Sequence, residues 1–218
     1  MKPFSVVIPS RNADNLAPCL EALFRLEPTL PKDHIIVLDD GVDPEFRARV
    51  PVRWIDGIKP FIFARAANQG IRAAGQDAIL MNDDSRLLTP SGFTNLVVAR
   101  PDDFGIVSAA IRENVGNLQQ LPARWANGTR QLHGALAFIC VLISWDAFES
   151  VGPFDERFTA YGSEDNDYCM RVHQSGLKEG VFDRTIVAHD GVSTFRSMPD
   201  NIDQLHQGRE ILKNKWKM

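Results

Sequence analysis

The chain has 218 residues, with 24 Lys and Arg against 28 Asp and Glu, and is 44% apolar. That size and hydrophobicity exclude disorder and allow a full core without disulfide or metal staples. A net charge of −4 and a pI near 5.7 argue against a dedicated nucleic-acid binder, though not against a local basic groove. Cys19, Cys140 and Cys169 are odd in number and widely spaced, which fits neither a disulfide framework nor a CxxC zinc site. The chain therefore reads as reduced and cytoplasmic. Its N-terminal apolar stretch is broken by Pro9 and Arg11, unlike a signal peptide. The longest apolar run, Ala135 to Ile143, is far short of the ~20 residues that span a bilayer.

In chain order, residues 4–8 are β-rich and stop at Pro9. Residues 14–26 carry Leu16, Leu20, Leu23 and Phe24 at helical spacing, with Asp14 a candidate cap. Residues 34–38 form a second apolar strand ending in Asp39-Asp40-Gly41, and 52–55 a short third. Residues 61–75 are Ala-rich and helical, and Gly75 ends them. A fourth strand at 78–81 ends in Asn82-Asp83-Asp84. A helix to about residue 100 and a strand at 105–110 follow. Residues 112–133 are polar without periodicity and read as a long functional loop. Then come a strand over 135–143, helices over 145–151 and 164–175, a strand at 185–188 and a tail helix over 202–216. Apolar strands alternating with helices predict an α/β fold, with a mostly parallel Rossmann-like sheet covered on both faces. No repeat or flexible linker interrupts 1–218, which favours one domain. It divides into a first half (1–110), a second half (111–195) and a tail helix (196–218).

Carboxylates placed just after strands carry the chemistry. Ligands of open α/β sheets bind beyond the carboxyl ends of the strands. A single Asp-Asp there is ordinarily a turn or a cap. Two pairs, Asp39-Asp40 and Asp83-Asp84, on alternate strands are harder to explain that way. Like charges so placed call for a compensating cation, and a hard divalent ion sharing diphosphate oxygens is the natural one. A third cluster, Ser163-Glu164-Asp165-Asn166-Asp167, reads equally as a capped helix start or as a first turn carrying a general base. His189 follows the strand at 185–188 and is either structural or a nitrogen ligand. Neither GxGxxG nor GxxxxGK[ST] occurs, so phosphates must be held by a metal and side chains.

These residues also form a familiar series. Residues 5–12 (SVVIPSRN), Val37-Leu38-Asp39-Asp40-Gly41, Asn68-Gln69-Gly70-Ile71, Asn82-Asp83-Asp84, residues 151–158 (VGPFDERF) and Glu164-Asp165-Asn166-Asp167-Tyr168 with Arg171 resemble, in order, the motifs of family 2 glycosyltransferases of the GT-A fold. The resemblance runs from about residue 4 to 195. It implies an inverting, metal-dependent transfer of a sugar from a nucleotide-diphosphate sugar, UDP-linked by preference, to an acceptor hydroxyl. In that scheme Pro9, Arg11, Asp40, Asn68 and Asp83 bind the nucleotide, with Asp40 accepting from the base imide. Asp84 of the DXD motif and His189 would ligate Mn²⁺ or Mg²⁺. Asp165 would be the catalytic base, with Glu164 in reserve. Arg11 stands where the family often has an aromatic residue, Val42 where it has Ser, and Gly152-Pro153 where it has Gly-Gly.

The acceptor is open between a glycan, a lipid-linked intermediate, a protein side chain and a hydroxylated nucleic-acid base. Arg124 and Trp125, with Arg130, are the candidate acceptor-binding residues, on a loop expected to order when donor binds. The basic tail Lys213-Asn214-Lys215-Trp216-Lys217 reads first as a solvated helix end and second as a contact to a membrane surface or phosphate backbone. A homo-oligomer whose second subunit helps choose the acceptor is compatible with the sequence. The competing reading is a degenerate GT-A module that binds nucleotide or glycan without turnover. A sugar-1-phosphate nucleotidyltransferase would need a Gly-rich loop that Pro9-Ser10-Arg11-Asn12 does not supply.

Overall fold

The computed structural model describes residues 2–113, 117–123, 126, 128–159, 162–190 and 201–218. The strands are β1 (Phe4–Ser10), β2 (Ile35–Asp39), β3 (Arg53–Asp56), β4 (Asp77–Met81), β5 (Ser85–Leu87), β6 (Phe104–Ile111), β7 (Thr129–Gln131), β8 (Cys140–Ile143) and β9 (Lys178–His189). The helices are α1 (Ala13–Leu26), α2 (Pro44–Arg49), α3 (Phe63–Ala74), α4 (Gly92–Ala99), α5 (Trp145–Val151), α6 (Glu164–Gln174) and α7 (Asn201–Trp216). They build an α/β fold of the GT-A, Rossmann-like kind.

The strand order is β3-β2-β1-β4-β8-β6-β9-β5, and β7 pairs with β9 beside it. Pairings from β3 to β4 are all parallel, as is β6 with β9. Strand β8 is antiparallel to both β4 and β6. Strands β5 and β7 are antiparallel to β9. The sheet is thus parallel through its first half and mixed beyond β4. Two reversals across β8 restore the direction, so β4, β6 and β9 all point the same way.

Side chains alternate across the sheet with the period of two that a strand imposes. Val6, Ile8, Ile35, Val37, Ile79 and Met81 face α1 and α4 in one core layer. Val7, Ile36, Leu38, Ala78 and Leu80 face α3, α5 and α6 in the other. Burial on both faces explains why these strands read as unbroken apolar runs. The small residues of α3 allow close approach: a Cβ on Gly70 would collide with Val7 Cγ1 and lie 2.8 Å from Leu38 Cδ2. At the end of α3, Gly75 takes the left-handed cap that the sequence predicts, with φ +61°.

Several boundaries differ from expectation. Asn12, not Asp14, caps α1, its Oδ1 accepting from Asp14 N at 2.8 Å. Of the stretch 135–143 only Cys140–Ile143 is strand, and β9 begins at Lys178 rather than 185. Strands β5 and β7 and helix α2 escape the sequence reading because they span six residues or fewer, too short to show a period. The three cysteines are free and buried. No helix among the described residues is long and apolar enough to cross a membrane.

Gly70→Ala is expected to destabilise the fold by about 1–3 kcal/mol, the usual cost of overpacking a close helix–sheet contact. Urea unfolding measures it, and an unchanged midpoint would show that α3 can slide outward without loss.

Candidate active site

Strand β1 lies between β2, reached next through α1, and β4, reached only after β3 and α3. Such a reversal of strand order opens a crevice at the carboxyl ends of the two central strands. Ser10, the last residue of β1, donates its hydroxyl to Asp83 Oδ2 at 2.7 Å, just past the end of β4. Burial raises Asp83 above the ordinary carboxylate range, the bond from Ser10 opposes this, and the charge of Asp84 adds to it. Asn15 on α1 also bonds Asp83.

The next residue is drawn to the far side of the sheet. Strand β5 pairs with the end of β9, setting Ser85 opposite His189, and Asp190 N donates to Asp84 O at 3.1 Å. As a result His189 Nε2 stands 3.3 Å from Asp84 Oδ1, with both side chains about one-tenth exposed. A carboxylate oxygen and an imidazole nitrogen facing each other fit a borderline-hard divalent ion that takes its remaining ligands from diphosphate and water. Among the described residues no group of three or more His, Cys, Asp or Glu forms a complete metal cage.

The first acidic pair divides its labour. Asp39 accepts from Gly41 N and Val42 N, each at 2.8 Å, and from Arg47 at 2.8 Å. Burial acts to raise it, but these bonds outweigh burial and hold it below the usual range. It is the turn-forming member. Asp40 ion-pairs with Lys59, which also donates to the Asp40 carbonyl. Pro9 is buried in β1 opposite Leu38. Arg11 is exposed, with its guanidinium 5.9 Å from the centre of the Phe61 ring. Asn68 is fully buried: its amide donates to Phe154 O at 2.9 Å and Glu156 at 3.0 Å, and accepts from Phe154 N at 2.7 Å. Those bonds pin α3 to the 154–156 turn.

Helix α6 turns through 175–177 directly into β9. A short turn of this kind sets α6 antiparallel to the start of β9. Ser163 does not cap α6, contrary to expectation: it has φ +77° and its side chain makes no cap bond. Asp165 instead accepts from Asn166 N at 2.8 Å. Glu164 Oε2 is buried with no hydrogen-bond partner. Burial, with the adjacent Asp165 charge, pushes Glu164 up to about 8, and burial pushes Asp165 up to about 6.

The 112–133 segment departs most from the sequence reading. Arg124 and Trp125 lie outside the described residues. Around them the chain is already tied down. A short 3₁₀ turn spans Leu118–Gln120, and Gln120 is fully buried, bonding Ser108 and both backbone groups offered by Ala137. Asp183 accepts from Arg130 Nε and Ala123 N, each at 2.7 Å, and Arg130 also donates to Leu121 O. Arg130 is therefore engaged as a strut between Asp183 and the 119–121 backbone. Sequence reasoning missed Ser10, Asn15, Lys59 and Phe61. Their only signal is proximity to the strand ends, which appears once the strands are paired.

The geometry is that of a GT-A nucleotide-sugar fold. The sequence model of glycosyl transferase family 2 matches residues 5–136, and the chain belongs to that family. A second model, described as the N-terminal domain of galactosyltransferase, matches residues 129–195. No curated protein matches at the level of sequence. Among solved structures, GalNAc-T7 with UDP, GalNAc and Mn²⁺ superposes with a TM-score of 0.74 at 14% identity, over 96% of this chain and 48% of that one. The mannosyltransferase PcManGT from Pyrobaculum calidifontis, in complex with GDP-Man and Mn²⁺, gives 0.67 at 14% identity over 88% and 58%. S. aureus TarS 1-349 gives 0.62 at 14% over 87% and 60%. The chain thus spans roughly half of the solved proteins it resembles, and these likenesses establish the fold.

Arg130→Ala would strand the buried Asp183 carboxylate. It is expected to cost about 3–5 kcal/mol and to make 117–123 susceptible to proteolysis. Wild-type cleavage kinetics in this variant would show that the strut is dispensable.

Proposed function

We propose that the chain transfers a sugar, with inversion, from a nucleotide-diphosphate sugar to an acceptor hydroxyl. The carrying observation is the convergence of Asp83, held by Ser10, and Asp84, faced by His189, at the reversal point of a family 2 sheet. Asp40 with Lys59 offers a carboxylate acceptor beside an ammonium donor, which complements an imide N–H next to a carbonyl. A uracil base has that edge, and guanine presents a similar one. The exposed Phe61 ring beside Arg11 supplies a stacking face in place of the aromatic residue absent at position 11. The UDP and GDP-Man of the two solved relatives support a nucleotide donor of this kind.

Asp84 and His189 would hold Mn²⁺ or Mg²⁺, and the ion stabilises charge on the leaving diphosphate when bound. In the displacement the acceptor oxygen bonds to the anomeric carbon as the bond from that carbon to the diphosphate oxygen breaks. Asp165 takes the hydroxyl proton. Its raised pKa suits this role, because a base poised near neutrality is both ionised and a good proton acceptor. Glu164, raised further, stays protonated beside it and limits repulsion between the two. The acceptor is drawn from glycans, lipid-linked intermediates, protein side chains or hydroxylated bases, and the surface around Arg124 and Trp125 is the segment assigned to it.

Calorimetric titration of UDP is expected to show Mn²⁺-dependent binding that Asp84→Ala abolishes and His189→Ala weakens. Equal binding with and without metal would favour a non-catalytic module instead. Donor hydrolysis should rise as pH increases through about 6, because Asp165 must lose its proton to act. Asp165→Asn should lower the rate by roughly 10²–10⁴-fold, the range of general base catalysis. A flat profile with full activity in Asp165→Asn would exclude it as the base.

A further inference from the structure

We infer that the C-terminal helix α7 is a positioning element for the base-bearing turn of α6, acting through Lys215 and Trp216. The inference rests on the assignment of Asp165 as base. Helix α6 begins without the usual device, since Ser163 is left-handed and caps nothing. Something else must fix its first turn, and α7 grips it on both sides of Asp165. On the near side, Leu205 packs over Gly162: a Cβ there would lie 3.0 Å from Leu205 Cδ2. On the far side is Asp167, two residues beyond the base and fully buried.

Asp167 is bound from three directions. Lys215 Nζ lies 2.7 Å from its Oδ1, Trp216 Nε1 donates to the same oxygen at 3.0 Å, and Arg171 Nε donates to Oδ2 at 2.9 Å. Lys215 also reaches Asp155 Oδ2 at 2.7 Å and lies 5.9 Å from the centre of the Phe158 ring. Arg171 continues to Val151 O at 3.1 Å. Helix α7 thereby joins α6 to the 155–158 turn by one ammonium. A buried carboxylate with every contact charge-assisted is stiff, because moving it leaves an unpaired charge out of water. Its stiffness passes along about half a turn of helix to Asp165. Lys213, two residues away on the same helix, pairs with Glu210 at the surface instead.

The test needs no acceptor, since water accepts the sugar in donor hydrolysis. UDP-glucose, UDP-galactose, UDP-GlcNAc and UDP-GalNAc with Mn²⁺ are the probes, and amide hydrogen exchange over 163–168 is read in parallel. Lys215→Met and Trp216→Phe should leave UDP binding within about two-fold and lower kcat for hydrolysis by roughly 10–100-fold, as a misplaced catalytic group does. Exchange over 163–168 should accelerate by about ten-fold or more. Lys215→Arg should retain most of the activity, and Glu210→Gln should match wild type throughout. Trp216→Phe keeps an aromatic side chain, smaller than the indole, and removes the N–H, so it tests the contact if Lys215→Met fails to fold. Unchanged exchange in both variants, or UDP binding that falls in step with hydrolysis, overturns the inference. Wild-type hydrolysis by Asp165→Asn would overturn the base assignment and with it the positioning role. It is told apart from failure of the grip because exchange would still accelerate in Lys215→Met. If no probe is hydrolysed, the exchange measurement decides alone.

Discussion

Two carboxylates that follow one strand repel each other, and the turn after β4 forces Asp83 and Asp84 together where water is largely excluded. The charge of Asp84 adds to burial in raising Asp83 above the ordinary carboxylate range. Much of the surrounding architecture answers that repulsion. Ser10 closes β1 onto Asp83, and Asn15 reaches it from α1. Strand β5, only three residues long, exists in the sheet as a link that brings the end of β9 to Asp84. Like charges left uncompensated favour an incoming cation, which is the physical ground for the metal proposed at Asp84.

The antiparallel strand β8 matters for the same reason. A sheet extended from β4 by one antiparallel strand would end with its next carboxyl terminus at the wrong edge. A second antiparallel pairing, β8 with β6, corrects this, and the parallel pairing of β6 with β9 preserves it. His189 at the end of β9 therefore comes to the edge that already holds Asp40, Asp83 and Asp84. Strand direction alone brings the carboxyl ends of β4, β6 and β9 to one edge.

This division also explains what the sequence disclosed. The first four strands and α1 and α3 were legible because burial on both faces imprints apolar runs and helical spacing on adjacent residues. The carboxylates were legible because they fall immediately after those runs. Ser10, Lys59 and Phe61 were not, since a hydroxyl, an ammonium and a ring become site residues only through pairing across the sheet or the packing of one loop. Arg130 misled for the converse reason: an arginine in a polar, aperiodic segment looks free, and its partner Asp183 lies far along the chain on a strand whose early half has no clean alternation. Asn68 belongs with it, as a polar residue whose bonds are spent on a distant turn.

The tail shows how a charge run can conceal opposite fates. Lys213, Lys215 and Lys217 look alike in sequence, yet helical rotation of about 100° per residue turns 213 roughly 200° away from 215, and Lys217 lies past the end of α7 with φ +56°. Lys213 and Lys217 are exposed, whereas Lys215 is turned inward with Trp216 beside it. Burial of an ammonium is costly unless carboxylates meet it, and Asp155 and Asp167 do so from two different segments. The cost of desolvating that triad is repaid only while all three stay in register. A cluster of this kind contributes modest net stability and a steep penalty for displacement, which makes it better suited to fixing a position than to holding the fold together.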